Sequence, residues 1–165
     1  MKVWDNREGI KDKGNLLNLV DLSYEERIAI WSLRMYLSGE QQKMRAEFNR
    51  SMPPAIARIA TGSVSSILDS IRYYGKNSLL FYCLCKECLS EDEKRIVFLF
   101  QAIKDSDLSR TNQIADTLVK DEGIEKIIDA VTGFLVALRM KDVRQFWVGP
   151  WRTEHEDKMQ STSIH

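Results

Sequence analysis

Apolar side chains recur at three- and four-residue steps along most of this chain. No long stretch sustains the alternation of two that marks a half-buried strand. The most continuously apolar stretch follows Asp21-Leu22-Ser23-Tyr24-Glu25-Glu26, where Ser23 and Glu26 have the spacing of a reciprocal helix-start cap. Ile28, Ala29, Ile30, Trp31, Leu33, Met35, Tyr36 and Leu37 then cover most of a helical circumference, interrupted only by Arg27, Ser32, Arg34 and Ser38. A helix apolar nearly all round is surrounded by others, so this one is expected to be the buried spine, ended at Gly39. Glu40 to Arg50 reads as a charged helix with a narrow stripe of Met44, Phe48 and Met52. Pro53-Pro54 breaks the pattern and can open the next helix, because proline is tolerated in a first turn.

From Ala55 to Tyr74 the stripe is Ile56, Ile59, Ala60, Val64, Ile67, Leu68, Ile71 and Tyr74. Gly62, Ser63, Ser65 and Ser66 thin its middle, which suits a close helix–helix crossing or, alternatively, a bend or ligand contact. Gly75-Lys76-Asn77 stops the helix, and Ser90-Glu91-Asp92-Glu93 repeats the capping box after a segment that holds every cysteine. Ile96, Leu99, Phe100 and Ile103 mark a further helix, and Ile114, Ala115, Leu118 and Val119 a shorter one that Gly123 is expected to close. Ile124, Ile127, Ile128, Val131, Phe134, Leu135 and Leu138 form the most regular stripe of all. The pattern predicts an all-α, single-domain, orthogonal or bundle-like array of about six or seven helices over residues 23–145. An N-terminal arm (1–22) precedes it, and an aromatic then polar tail (146–165) follows.

Composition narrows the class. The 165 residues carry 24 basic and 24 acidic side chains and are 44% apolar. That supports a core of ordinary size and argues against a protein whose main partner is the nucleic-acid backbone. No apolar run approaches the ~18–20 residues of a membrane span. The mixed charges of Met1 to Glu8 do not resemble a secretory leader. Three cysteines cannot all pair within one chain, so a reducing cytoplasm is the expected compartment.

Those cysteines are the one concentration of reactive side chains. Cys83, Cys85 and Cys88 fall within six residues. If the segment were a loop they could converge on zinc or an iron–sulfur cluster, although a fourth ligand such as His155 or His165 would have to come from the tail. Cys85 and Cys88 have the C-x-x-C spacing of a redox pair, with Lys86 favouring and Glu87 opposing a thiolate. The expectation set against both is three inert thiols in or near the core, and no cofactor.

The hydrolase, metalloprotease, phosphate-loop and dinucleotide motifs are all missing, and both histidines lie in the tail. No catalytic residue is assigned, and a binding role is expected over an enzymatic one. Ser109 to Leu118 resembles the first helix of a helix-turn-helix, but the following segment opens Lys120-Asp121-Glu122-Gly123-Ile124-Glu125, too acidic to lie on phosphates. Arg27 and Arg34 are seven residues apart, on one side of the spine helix, and each needs a carboxylate or access to water. Glu47 or Asp69 are the expected internal partners; alternatively Arg27, Arg34 and Arg45 line a pocket for an anionic ligand. Phe146, Trp147 and Trp151 either staple the tail to the body or bind a partner, since tryptophan is enriched where proteins meet. The combined expectation is a cytoplasmic helical protein that binds another protein, or a second copy of itself, in a regulatory or adaptor role. A metal- or thiol-redox-responsive module and a DNA-binding regulator are the alternatives.

Overall fold

Ser23 opens the first helix. Its hydroxyl accepts from the Glu26 N–H at 3.3 Å, and the Glu26 carboxylate accepts from the Ser23 N–H at 3.0 Å. Two donors that a helix start leaves without intrahelical partners are thereby satisfied. In the computed structural model, which describes residues 2–3 and 17–140, helix α1 runs Tyr24–Leu37. Gly39 follows at φ +80°, a conformation that L side chains rarely adopt. The other helices are α2 (Gln41–Ser51), α3 (Pro54–Tyr74), α4 (Glu91–Lys104), α5 (Leu108–Leu118) and α6 (Asp121–Arg139). The fold is the expected all-α array, with six α-helices among the described residues. Among the described residues the one two-stranded sheet pairs β1 (Lys2–Val3) with β2 (Leu80–Phe81), two residues each and parallel, and isolated antiparallel bridges join Asn18 to Cys88 and Gly75 to Val119. None of the described helices is long and apolar enough to cross a membrane.

The stripes read from the sequence face one continuous core, except that Ile59 of the α3 stripe is 44% exposed. Ile28, Ile30 and Leu33 of α1 are buried together with Met44 and Phe48 of α2, Ala60 and Ile67 of α3, Leu99 and Phe100 of α4, and Val131 and Phe134 of α6. As expected of a spine, α1 buries nine residues and touches α2, α3 and α4. Phe48 is the large aromatic anchor of α2, beside Met44. It meets Trp31 edge-on at 6.3 Å and Phe134 at 6.2 Å, and Phe134 in turn meets Phe100 at 6.0 Å. Such edge-to-face pairs add to the burial energy and join four helices through their rings.

The most extensive helix pair is α3 with α6. They run antiparallel, since Gly123 lies against Tyr74 and Gly133 against Ser63. The crossing expected at the small residues of α3 is therefore present at Ser63, whose Oγ would lie 2.9 Å from a Cβ at Gly133. Gly62 behaves differently: a Cβ there would meet nothing within 4 Å. The reading of Gly123 needs correction. It does not close α5, which ends at Leu118, but sits in the first turn of α6, where a Cβ would come 2.4 Å from the Tyr74 Cβ. The reason is tertiary: the α5–α6 turn is stitched to the end of α3 by Lys120 N–H donating to Tyr74 O (2.7 Å) and Lys76 N–H to Leu118 O (3.2 Å).

At the other end of the chain, the apolar patch before α1 docks on the body, with Leu19 and Leu22 buried. Leu19 N–H donates to Glu87 O at 2.8 Å, and Leu89 N–H donates to Leu17 O at 3.0 Å. Residues 4–16 of the expected arm, and the tail residues Phe146, Trp147, Trp151, His155 and His165, lie outside the described residues.

Candidate functional site

The segment between α3 and α4 is organised around one buried arginine. Arg34 points from α1 into the turn that carries the cysteines, and its side chain and that of Glu93 are both 0% exposed. Arg34 Nε donates to Glu93 Oε1 at 2.7 Å and Nη2 to Oε2 at 2.8 Å, a two-point guanidinium–carboxylate pairing. Nη1 donates to the carbonyls of Cys83 (3.1 Å) and Lys86 (2.7 Å), and Nη2 to that of Cys88 (2.9 Å). All five N–H donors of the guanidinium are used. Glu93 is equally committed: it also accepts from Tyr82 N–H at 3.1 Å and Ser90 N–H at 2.9 Å. Burying two charges costs several kcal/mol per ion unless geometry and supplementary hydrogen bonds compensate. Here both conditions are met.

Glu93 thus has two roles. It completes the capping box of α4, whose other half is the Ser90 hydroxyl accepting from Glu93 N–H at 3.1 Å, and it is the counter-ion of α1. The capping role is legible from Ser90 and Glu93 alone. The pairing is not, because the partners are 59 residues apart. The only sequence signal is that an arginine embedded in an all-round apolar helix must have a carboxylate somewhere. For Arg34 the partner is neither of the nominated carboxylates, Glu47 and Asp69, but Glu93.

The anionic pocket built on Arg27, Arg34 and Arg45 is not formed. Arg34 is enclosed by its carbonyl and carboxylate partners, Arg27 is buried with its guanidinium 5.5 Å from the Tyr24 ring centroid, and Arg45 is exposed on α2. The two arginines of α1 are buried, and the third lies exposed on a different helix.

The thiols are not core filling either. Cys85 is exposed, Cys83 and Cys88 are half-buried, and Cys83 is joined to Cys85 by a disulfide with a Cα–Cα distance of 5.4 Å. The bonded pair is therefore C-x-C, not the C-x-x-C pair Cys85–Cys88, and Cys88 is the free thiol. Three backbone carbonyls of the loop are turned onto Arg34, and Cys85 is left exposed. Among the described residues, no three His, Cys, Asp or Glu side chains are placed to hold a metal ion. Tyr82, buried beside this loop, has its phenol pushed above the usual value of 10.0, first by burial and then by the charges of Cys88 and Glu93.

A second feature involves α3 and α6. Between α3 and α6 is an open groove of about 520 Å³, whose lining includes the small residues Gly62, Ser63, Ser66 and Ser70. Ile59 and Tyr73, 44% and 68% exposed, also line it, and Arg58, Asp69, Lys126 and Asp129 add charges of both signs. In the segment that resembles a helix-turn-helix, α5 and α6 are joined through Val119 and Lys120, but the first turn of α6 is packed on Tyr74 at Gly123. No known protein family, curated protein or solved structure matches the chain.

Proposed function

We propose that this protein is a helical binding module that acts by docking another protein, in a regulatory or adaptor role in the cytoplasm. Its docking surface is the α3–α6 groove, and the occupant is an amphipathic helix of the partner. The observation that carries this reading is Gly62. A glycine inside a helix is roughly 0.5–1 kcal/mol less favourable than alanine. This one has no close neighbour to accommodate, since a Cβ would meet nothing within 4 Å. Internal packing therefore gives no reason for it, whereas the close approach of a partner's backbone along the groove does.

The rest of the lining supports the same occupant. Ile59 and Tyr73 are separated by about four helical turns, roughly 21 Å at 1.5 Å per residue, enough to grip both ends of a short helix. Arg58 and Lys126 line the groove together with Asp69 and Asp129, which suits a helix carrying charges of both signs beside its apolar face. Phe146, Trp147 and Trp151 supply a further aromatic contact element outside the described residues.

The test is Gly62→Leu, which fills the groove without touching the core. Partners would be captured from native cells by wild type and by G62L in parallel, with a chain ending near Arg144 as a third bait. Loss of a specific partner by G62L, with its melting temperature retained, supports the groove. Loss only on truncation transfers the contact to the tail, and an unchanged partner set for both variants removes the proposal.

A further inference from the structure

The geometry points to a reversible thiol–disulfide couple at Cys83–Cys85, which exchanges with dithiol reductants at the sulfur of the exposed Cys85 on a loop that Arg34 holds in both redox states. The first support is what the cross-link does not do. It joins residues only two apart in sequence. Disulfides stabilise mainly by restricting the unfolded chain, increasingly so for longer loops, and this loop is close to the shortest possible. The loop's shape comes from other bonds: the carbonyls of Cys83, Lys86 and Cys88 are bound by the buried guanidinium, and Cys88 is bridged to Asn18. Opening the disulfide removes none of them. The second support is access. Cys85 is exposed, as an attacking thiolate requires, whereas structural disulfides in general are shielded.

The step balances as ordinary exchange. The thiolate of the reductant attacks the Cys85 sulfur, a mixed disulfide forms, and Cys83 leaves as a thiolate that takes a proton from water. The reductant's second thiol, deprotonated, then attacks its own sulfur in the mixed disulfide and closes the reductant's disulfide. Cys85 is released as a thiolate and protonated. Two electrons pass from the dithiol to the cysteine pair, and the reverse sequence re-forms the bond. Cys88 is not a member of the couple. Its backbone is held by Arg34 on one side and Asn18 on the other, and its thiol is free while the other two are bonded.

Protein prepared without reductant would be alkylated under native conditions and mapped by mass spectrometry, before and after dithiothreitol. One labelled cysteine, Cys88, and a linked Cys83–Cys85 peptide are expected first. After native reduction three are labelled, with the circular dichroism unchanged and the melting temperature within about 3 °C, the shift that ~1 kcal/mol produces in a domain of this size. Cys88→Ser keeps the gain of two labels, and Cys85→Ser abolishes it. The proposal is overturned if the Cys83–Cys85 link is never found, if it opens only in denaturant, if opening it lowers the melting temperature by more than that margin, or if Cys88→Ser removes the couple.

Discussion

The cysteine loop and the α3–α6 groove solve opposite problems with the same helices. Around Arg34 every strong donor and acceptor named above finds its partner inside the chain, so the region is closed although it is rich in polar groups and irregular in backbone. Along α3 the backbone is regular and helical, yet Gly62 faces open space and Ile59 and Tyr73 stay exposed. Regular secondary structure therefore does not mark the finished part of this molecule, nor irregular backbone the unfinished part. What separates the two regions is whether polar and apolar demands are met internally.

The largest break in that contrast is expected at Arg34. Arg34→Met leaves Glu93 as an unpaired buried charge and strips the carbonyls of Cys83, Lys86 and Cys88 of their donors. A loss of about 3–5 kcal/mol is expected from urea unfolding, the range for removing one partner of a buried pair. The double variant Arg34→Met with Glu93→Leu sharpens the point. If only the ion pair mattered, the second change would restore stability. Because three carbonyls and the Tyr82 and Ser90 amides remain buried, it is expected to stay well below wild type.

The same substitution at two glycines should have opposite signs. Gly123→Ala forces a Cβ to 2.4 Å from the Tyr74 side chain and should cost about 1–3 kcal/mol by overpacking. Gly62→Ala meets nothing and should stabilise by roughly 0.5–1 kcal/mol through helix propensity. Melting curves of the two variants decide it. Equal effects would mean that the groove at Gly62 is as tightly packed as the α3–α6 contact at Tyr74.

The smallest effect is a pH dependence at Tyr82. Its folded phenol is raised above 10.0, so as pH climbs the unfolded chain loses this proton first. The folded state then holds more protons than the unfolded one, and stability falls. The contribution is whole below the unfolded value, near 10, and declines as pH rises towards the folded one. Alkaline unfolding of Tyr82→Phe should lack this part of the slope. Identical slopes for variant and wild type would show that other groups govern the alkaline limb.

Much of the fold was legible without coordinates because it rests on local rules. Ser23 with Glu26, and Ser90 with Glu93, announce helix starts through contacts three residues apart, and Pro54 and Gly39 mark a beginning and an end by backbone geometry alone. The apolar stripes then identify which faces are buried. Gly123 was misread because a glycine following a helical stripe looks like a stop, whereas its role is set by Tyr74, far away in sequence. The cysteines were misread for the same kind of reason: apolar neighbours such as Leu79, Phe81 and Leu89 are indeed buried, but the loop between them turns outward around Arg34.

The amino-acid order by itself determined the all-α class, the capping boxes at Ser23 and Ser90 and most of the buried helix faces, since each depends on residues within a turn or two of one another. Tertiary structure alone decided that Glu93 answers Arg34, that Cys83 bonds Cys85, and that Ser63 packs against α6 while its neighbour Gly62 does not. Those outcomes depend on which distant groups share a low-dielectric interior or a helix crossing, and spacing along the chain carries no record of that.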